Sequence, residues 1–316
     1  MADNKIMAVV GATGSQGGGL VRAILNDKTQ ECVVRALTRK VDSPKAQELA
    51  TLGAEVVAAD LDDLESLKRA FAGAYGAFCV TNFWEHFSPE KETAQATAMA
   101  QAAKHAAVHH VIWSTLEDTR RWVALTDTRM PTLKDKYKVP HFDGKGEADE
   151  AFRDLGVPTT FLLASFYWDN MISFGMGPKK EQDGQFALIM PMGDKKLPGI
   201  AAEDIGKCAF GIFKQGAEWI GKTVGVAGEH LAGSEMAAKM TKALGRKVWY
   251  DAVSPEAYRR LDFPGADDLG NMFQFKRDFN SYFCGARKPE VARSLNPSMQ
   301  TFDTWLAHNK DRIPLE

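Results

Sequence analysis

Val9-Val10-Gly11-Ala12-Thr13-Gly14-Ser15-Gln16-Gly17-Gly18-Gly19 is the stretch that decides the reading of this chain. It follows an apolar run, Ile6 to Val10, with the length and branching of a strand buried on both faces. It leads into Leu20-Val21-Arg22-Ala23-Ile24-Leu25, whose apolar positions suit a helix packed on that strand. Strand, glycine turn and helix make a cradle for a diphosphate. Gly11 permits the tight turn, Gly14 lets the backbone approach the ligand, and Gly17 lets the helix sit close to the sheet. The N–H groups of the helix start face an anion. Gly11, Thr13, Gly14, Ser15, Gln16 and Gly17 are therefore the expected contacts to a dinucleotide. Glycines also gather in flexible loops; the flanking strand and helix set this run apart.

The bulk properties are those of an ordinary globular chain. It has 316 residues, 45% hydrophobic and 25% charged, enough for one large α/β domain or somewhat more. A formal net charge of −2 leaves no electrostatic footprint for nucleic acid or an anionic membrane. No apolar run approaches the roughly 18 residues needed to span a bilayer, and the first residues carry no signal-peptide pattern. Cys32, Cys79, Cys208 and Cys284 lack metal or redox spacing. That usage points to a reducing compartment, the cytoplasm with access to the nucleus.

Along the chain, Cys32 to Thr38 reads as a second strand, and position 39 is where a dinucleotide fold meets the adenosine ribose. An acidic residue there would select NAD. Arg39 stands there instead, followed by Lys40, and a planar guanidinium suits a 2′-phosphate, so NADP(H) is expected. Ala54 to Ala59 makes a third strand that ends at Asp60 and Leu61, which would border the adenine; Asp62 or Asp63 can cap the helix that follows. Ala74 to Val80 is a fourth strand, with Thr81, Asn82 and Phe83 lying over the cofactor. A long alanine-rich helix, about Pro89 to Ala107, precedes a fifth strand from Val108 that ends at Ser114-Thr115. His109 and His110 are adjacent on that strand and point to opposite faces, so they do not share a metal ion. No metal is expected.

From Leu116 to Pro140 the periodicity fails, and the stretch is too long for a plain loop. It reads either as a switch that changes order when a cofactor binds or as an insertion of fixed fold. Helical order returns at His141-Phe142-Asp143-Gly144-Lys145-Gly146-Glu147, and a sixth strand follows at Thr159 to Ala164. Strands alternating with helices at this pace predict a Rossmann-type, doubly wound parallel sheet over residues 1–164. Residues 165–316 read as a smaller α/β portion closing over the cofactor edge. It holds strands at Phe186 to Met190, Thr223 to Ala227 and Lys247 to Asp251, and helices at Ala202 to Lys214 and Ser234 to Leu244. Gly245 stops the latter helix, and the chain from Pro255 is mostly helical.

The glycine turn with Gly18, Arg39, the run Val80-Thr81-Asn82-Phe83-Trp84-Glu85 and the run His141 to Glu147 resemble the NmrA-like branch of the atypical short-chain dehydrogenase/reductases. Phe263-Pro264-Gly265-Ala266 and Leu295-Asn296-Pro297 extend the resemblance over nearly the whole chain, closest to the HSCARG-type NADPH sensors. The resemblance implies a Rossmann fold that binds NADP(H), with contacts from Tyr167, Trp168, Asp169 and Asn170 to the nicotinamide half. Active short-chain reductases pair a Tyr with a Lys four residues later and a Ser at the end of the fifth strand. Ser114 and Lys145 are kept here, and His141 holds the tyrosine position. His141 either donates a proton or simply packs on its helix. Tyr137 is eight residues from Lys145 and would need a different geometry.

Two classes of function follow. A sensor would respond to NADPH or NADP occupancy through a regulatory protein partner or a homodimer. An NADPH-dependent reductase of a quinone, enone or carbonyl would use Lys145, His141 or water as the proton source, with Ser114 beside them. Neither reading involves direct contact with nucleic acid or a membrane.

Overall fold

Met7, Ala8 and Val9 lie on an inner strand of a seven-stranded sheet and are almost completely buried. The computed structural model describes residues 4–182 and 184–315. Its first strands and helices alternate as β1 (Lys5–Val9), α1 (Ser15–Leu25), β2 (Cys32–Thr38), α2 (Pro44–Thr51), β3 (Glu55–Ala58), α3 (Leu64–Phe71) and β4 (Gly76–Cys79). Next come α4 (Pro89–His105), β5 (His110–Thr115), α5 (Pro140–Asp154) and β6 (Thr159–Leu163). The strand order is Thr223–Gly225, β6, β5, β4, β1, β2, β3. Pairing is parallel from β3 through β6, with Val9 opposite Ala36 on one side and Phe78 on the other. β4, β5 and β6 are buried along their whole length, which is why they read as unbroken apolar runs.

Local chemistry sets the helix starts. Ser43 and Ser88 accept hydrogen bonds from Ala46 N and Lys91 N, each with a proline at the next position. Of the two aspartates that could cap α3, Asp63 does so, accepting from Glu65 N and Ser66 N. α4 lays Ala96, Met99, Ala100 and Ala103 into a core shared with Ala77, Cys79, Val111 and Trp113. Its small side chains let the helix approach the sheet closely.

The chain forms two compact units. One combines the residues up to Asp118 with His141–Ala164 and Glu203–Val224; the other combines Thr119–Pro140, Ser165–Ala202 and the residues from Gly225 on. Helix Ala202–Gln215 and strand Thr223–Gly225 thus lie almost wholly in the sheet-bearing unit. That strand is led alongside β6 by Lys222, whose carbonyl accepts from Phe161 N at 2.9 Å.

The second unit holds two three-stranded sheets: Glu229–Ala232, Lys196–Ile200 and Phe166–Tyr167 in one, Val248–Asp251, Phe186–Ile189 and Lys179–Lys180 in the other. The strand Lys196–Ile200 does not stand out in the sequence because Pro198 and Gly199 break its pattern. Gly199 is where the indole of Trp168 packs: a Cβ there would come 2.3 Å from Trp168 Nε1. Helix Ala266–Asp278 is buried on nearly every side and anchors Thr119–Pro140. Asn271 Nδ2 donates to the carbonyls of Pro131 (2.9 Å) and Lys138 (2.5 Å), and Gln274 Nε2 to that of Arg129 (2.8 Å). The buried Lys138 ammonium donates to Asp127 O and Met130 O at 2.8 and 2.7 Å. Among the described residues no helix is long and apolar enough to cross a membrane.

Candidate functional site

The order of the sheet reverses between β1 and β4: the chain moves outward through β2 and β3, then returns to the other side of β1. In open α/β sheets a crevice forms beyond the carboxyl ends of the strands at such a point. The residues singled out in sequence at the ends of β1, β2, β3, β4 and β5 all lie at that edge of the first unit.

The glycine turn is built as expected. Gly11 has φ +63° and its carbonyl accepts from Gly14 N at 2.9 Å. A Cβ on Gly17 would come 2.4 Å from Gly11 O, so α1 can only sit this close with glycine there. α1 starts at Ser15 with no side chain capping its first turn, which leaves the dipole's positive end for a ligand. Ala12 is buried, while Thr13, Ser15 and Gln16 line the turn with more exposure. Ser114, at the end of β5, donates to Gln16 Oε1 at 2.9 Å and so ties the fifth strand to the turn.

Arg39 and Lys40 are exposed just past β2, and Arg39 Nη2 meets Glu85 Oε1 at 2.6 Å. Glu85 belongs to a short 3-10 turn, Phe83–Glu85, that follows β4. Asp60 is exposed and folds back to accept from Asp62 N, while Leu61 packs against the core. Asn82 is exposed, and Thr81 and Phe83 are buried beneath it.

α5 brings Lys145 to the same edge. Its Nζ donates to Thr81 Oγ1 at 2.6 Å and lies 3.3 Å from Thr81 O. The glycines beside it explain the spacing of the motif. A Cβ on Gly144 would meet Pro89 at 3.0 Å, and one on Gly146 would meet Asp118 N at 2.3 Å, so α5 is pressed between the start of α4 and the end of the fifth-strand connection. Burial pulls the Lys145 ammonium below the ordinary lysine range, and the Glu92 carboxylate opposes that pull. The His141 ring is buried, with its centroid 4.9 Å from that of Trp84, 4.8 Å from Phe142 and 5.8 Å from Phe83.

Ser114, Lys145 and His141 are thus all carried by the first unit, as are the residues expected around the diphosphate, the 2′-phosphate and the adenine. Tyr167, Trp168, Asp169 and Asn170 belong to the second unit. There Trp168 is a core side chain against Phe302 and Trp305, and Asp169 Oδ2 accepts from Ala202 N at 2.8 Å. Tyr137 is buried in the second unit, its ring flanked by Arg120 and Lys136. His110 is buried at the start of β5, and His109, just before the strand, is exposed. Among the described residues no group of three metal-ligating side chains forms.

Two residues of the site are not visible from the motifs. Glu85 closes the run after β4 with nothing in its own chemistry to single it out. Glu92 carries a usable signal: with Ala96, Met99 and Ala103 it follows the helical spacing of the buried face of α4, where a carboxylate is out of place.

A reversed parallel sheet with a glycine turn at the reversal, an arginine after β2 and a lysine on the helix after β5 together define a class. The NmrA-like family matches residues 3–306, and the chain belongs to it. The NmrA-like family domain-containing oxidoreductase lnbB of Aspergillus flavus is 28% identical over 312 residues, covering 93% of this chain and 90% of that one. The oxidoreductase malD of Malbranchea aurantiaca is 30% identical over 256 residues, covering 78% and 75% of the two chains. Among solved structures, NmrA, a negative transcriptional regulator in complex with NADP, matches with a TM-score of 0.77 at 25% identity, covering 96% of this chain and 94% of that one.

Proposed function

We propose that this protein binds NADP(H) and serves as a redox sensor, its occupancy by NADPH or NADP being the signal read by a regulatory protein partner or a second copy of the chain. The residues fit the dinucleotide: the glycine turn and uncapped α1 take the diphosphate, Arg39 and Lys40 the 2′-phosphate, and Lys145 the nicotinamide ribose. When bound, the dinucleotide supplies reducing equivalents. The NADP complex of NmrA, a regulator, supports both the cofactor and the role.

The observation that carries the sensor reading is the setting of His141. The position that would supply a phenol is filled by an imidazole packed among Trp84, Phe83 and Phe142. Aromatic packing of that kind fixes a ring rather than presenting it to a carbonyl. A route for the signal starts at Gly146, one residue from Lys145, which packs on the Asp118 backbone where the irregular segment begins. A ligand shifts such a segment only through unequal affinity for its two arrangements.

The second reading, an NADPH-dependent reductase of a quinone, enone or carbonyl, is favoured by Lys145. A buried ammonium whose proton is loosened by desolvation is a competent proton source. The relatives lnbB and malD are also named oxidoreductases. Two measurements on the full chain separate the readings. Amide hydrogen exchange with NADPH, with NADP and with neither should change in residues 116–140 for a sensor. NADPH oxidation over a panel of quinones, enones and carbonyls should stay at background; sustained turnover with exchange unchanged in that segment establishes the reductase instead.

A further inference from the structure

Glu92 lies in the first turn of α4, is 0% exposed, and neither of its carboxylate oxygens accepts a hydrogen bond. A carboxylate removed from water without hydrogen bonds is strongly disfavoured and persists only beside an opposite charge. Such a charge is close: Lys145 Nζ lies 3.5 Å from Glu92 Oε1. The Lys145 side chain is itself only 11% exposed. Its direct contacts besides Glu92 are neutral, the Thr81 hydroxyl and carbonyl and the Trp113 ring, whose centroid is 5.1 Å away.

The remaining titratable groups facing this pair are engaged or uncharged. Asp149, one turn along α5, accepts from Trp113 Nε1 at 3.0 Å and Thr115 Oγ1 at 2.6 Å, and its second oxygen faces Arg153 at 3.5 Å. His86, in the turn before α4, is held below the ordinary histidine range by burial and is neutral near pH 7. Glu92 is therefore the main group whose charge offsets the burial of Lys145, with Asp149 adding a smaller share.

We propose that Glu92 is the positioning residue for Lys145, its carboxylate keeping the lysine protonated and aimed at Thr81 at the end of β4. Glu92 is out of reach of solvent behind the lysine and acts only through it. The proposal rests on the reading above for its consequence, because an ammonium fixed there is what holds the nicotinamide ribose. Its physical core, the coupling of the two side chains, stands apart from any cofactor.

The decisive experiment titrates Lys145 in the ligand-free full chain by NMR of lysine labelled with carbon-13 at Cε, the signal being assigned by its loss in Lys145→Arg. Glu92→Gln should lower the titration midpoint by about one pH unit or more, a tenfold loss of proton affinity. Glu92→Asp, which keeps the charge, should restore most of it. An unchanged midpoint in Glu92→Gln overturns the proposal. Should Glu92→Gln fold poorly, the reciprocal test is stability. Lys145→Met strands a buried carboxylate and should be rescued by adding Glu92→Gln, whereas simple additivity of the two changes overturns the coupling. NADPH titrated by fluorescence quenching reads the consequence: as pH rises, Glu92→Gln should lose affinity before the unmutated chain does, by up to about tenfold for a midpoint lowered by about one pH unit. If the midpoint falls but Lys145→Ala leaves NADPH affinity untouched, the cofactor reading fails and the Glu92–Lys145 coupling stands.

Discussion

Arg39, at the end of β2, and Glu85, in the turn after β4, close on each other at 2.6 Å across the carboxyl edge of the sheet, between strands that flank β1. Both side chains are about half exposed, 58% and 47%. On the proposed reading, Glu85 is the carboxylate that a 2′-phosphate would have to displace from Arg39. An exposed ion pair of this kind contributes no more than about 1 kcal/mol, less than the roughly 1.5–3 kcal/mol of a charged hydrogen bond, so on that reading the phosphate would win the competition.

NADPH should accordingly bind at least tenfold more tightly than NADH, with Arg39→Ala removing most of the difference. Glu85→Gln should leave NADH affinity unchanged and hold or tighten that of NADPH. Calorimetric titration of the unmutated chain and both variants decides this. Equal affinities in the unmutated protein, or weaker NADPH binding in Glu85→Gln, would exclude Arg39 as a phosphate reader set against Glu85.

His141 offers a second test. Its ring contacts Trp84, Phe83 and Phe142, so His141→Phe preserves the packing while removing both ring nitrogens. NADPH affinity should change less than about threefold, well under the tenfold that 1.4 kcal/mol represents. If any reductase substrate is found, turnover should survive the change. A variant that binds NADPH normally and loses a robust activity would make His141 the proton donor.

The sheet-bearing half of the fold is legible because its inner strands are buried on both faces. Predominantly apolar runs such as Ala74–Val80 and Thr159–Ala164 have no competing interpretation between glycine and polar punctuation. The strand Lys196–Ile200 is not, since it forms through pairing with Glu229–Ala232 and Phe166–Tyr167 and close packing on Trp168. In the site, the glycine turn and Arg39 are visible because each chemistry demands a residue type at a known spacing, and Lys145 is visible through the family resemblance of the run His141 to Glu147. Glu92 and Glu85 are not, because their meaning lies in which lysine or arginine the fold brings to them. The segment Thr119–Pro140 looks irregular for a related reason. Its order comes from Asn271 and Gln274, more than a hundred residues away in sequence.

Acid should weaken the fold through His110. Thr160 Oγ1 donates its one proton to Trp219 O, so at 2.8 Å it accepts from His110 Nε2, and the ring is the neutral Nε2–H tautomer. Burial pulls this histidine down to about 4, below its usual 6.5. The unfolded chain therefore takes up a proton first as pH falls. Stability is full above about pH 6.5 and declines toward pH 4, by a total of about 3 kcal/mol. His110→Gln keeps an N–H donor for Thr160 and does not titrate. Urea midpoints measured from pH 7.5 to 4 should fall more steeply for the unmutated chain than for His110→Gln; parallel curves would mean that another group governs the acid limb.

Gly146 allows the path from Lys145 toward the irregular segment to be tested by the sign of one substitution. In an exposed helix Gly→Ala ordinarily stabilises by roughly 0.8–1 kcal/mol, because glycine loses more backbone freedom on folding. A Cβ at position 146, however, would stand 2.3 Å from Asp118 N and 2.8 Å from Asp118 Cα, both backbone atoms that cannot swing aside. Overpacking of this sort costs about 1–3 kcal/mol, so Gly146→Ala should destabilise on balance. Gly285, which closes helix Asn280–Gly285, is the matched control: a Cβ there would meet nothing within 4 Å, so its change to Ala should be neutral or stabilising. Urea unfolding gives both signs. Because the clash falls on Asp118, Gly146→Ala should also speed amide exchange in residues 116–140 and loosen NADPH binding, while Gly285→Ala changes neither. A destabilised Gly146→Ala whose segment exchange and NADPH affinity both match the unmutated chain would show that α5 and the segment are packed together without being coupled.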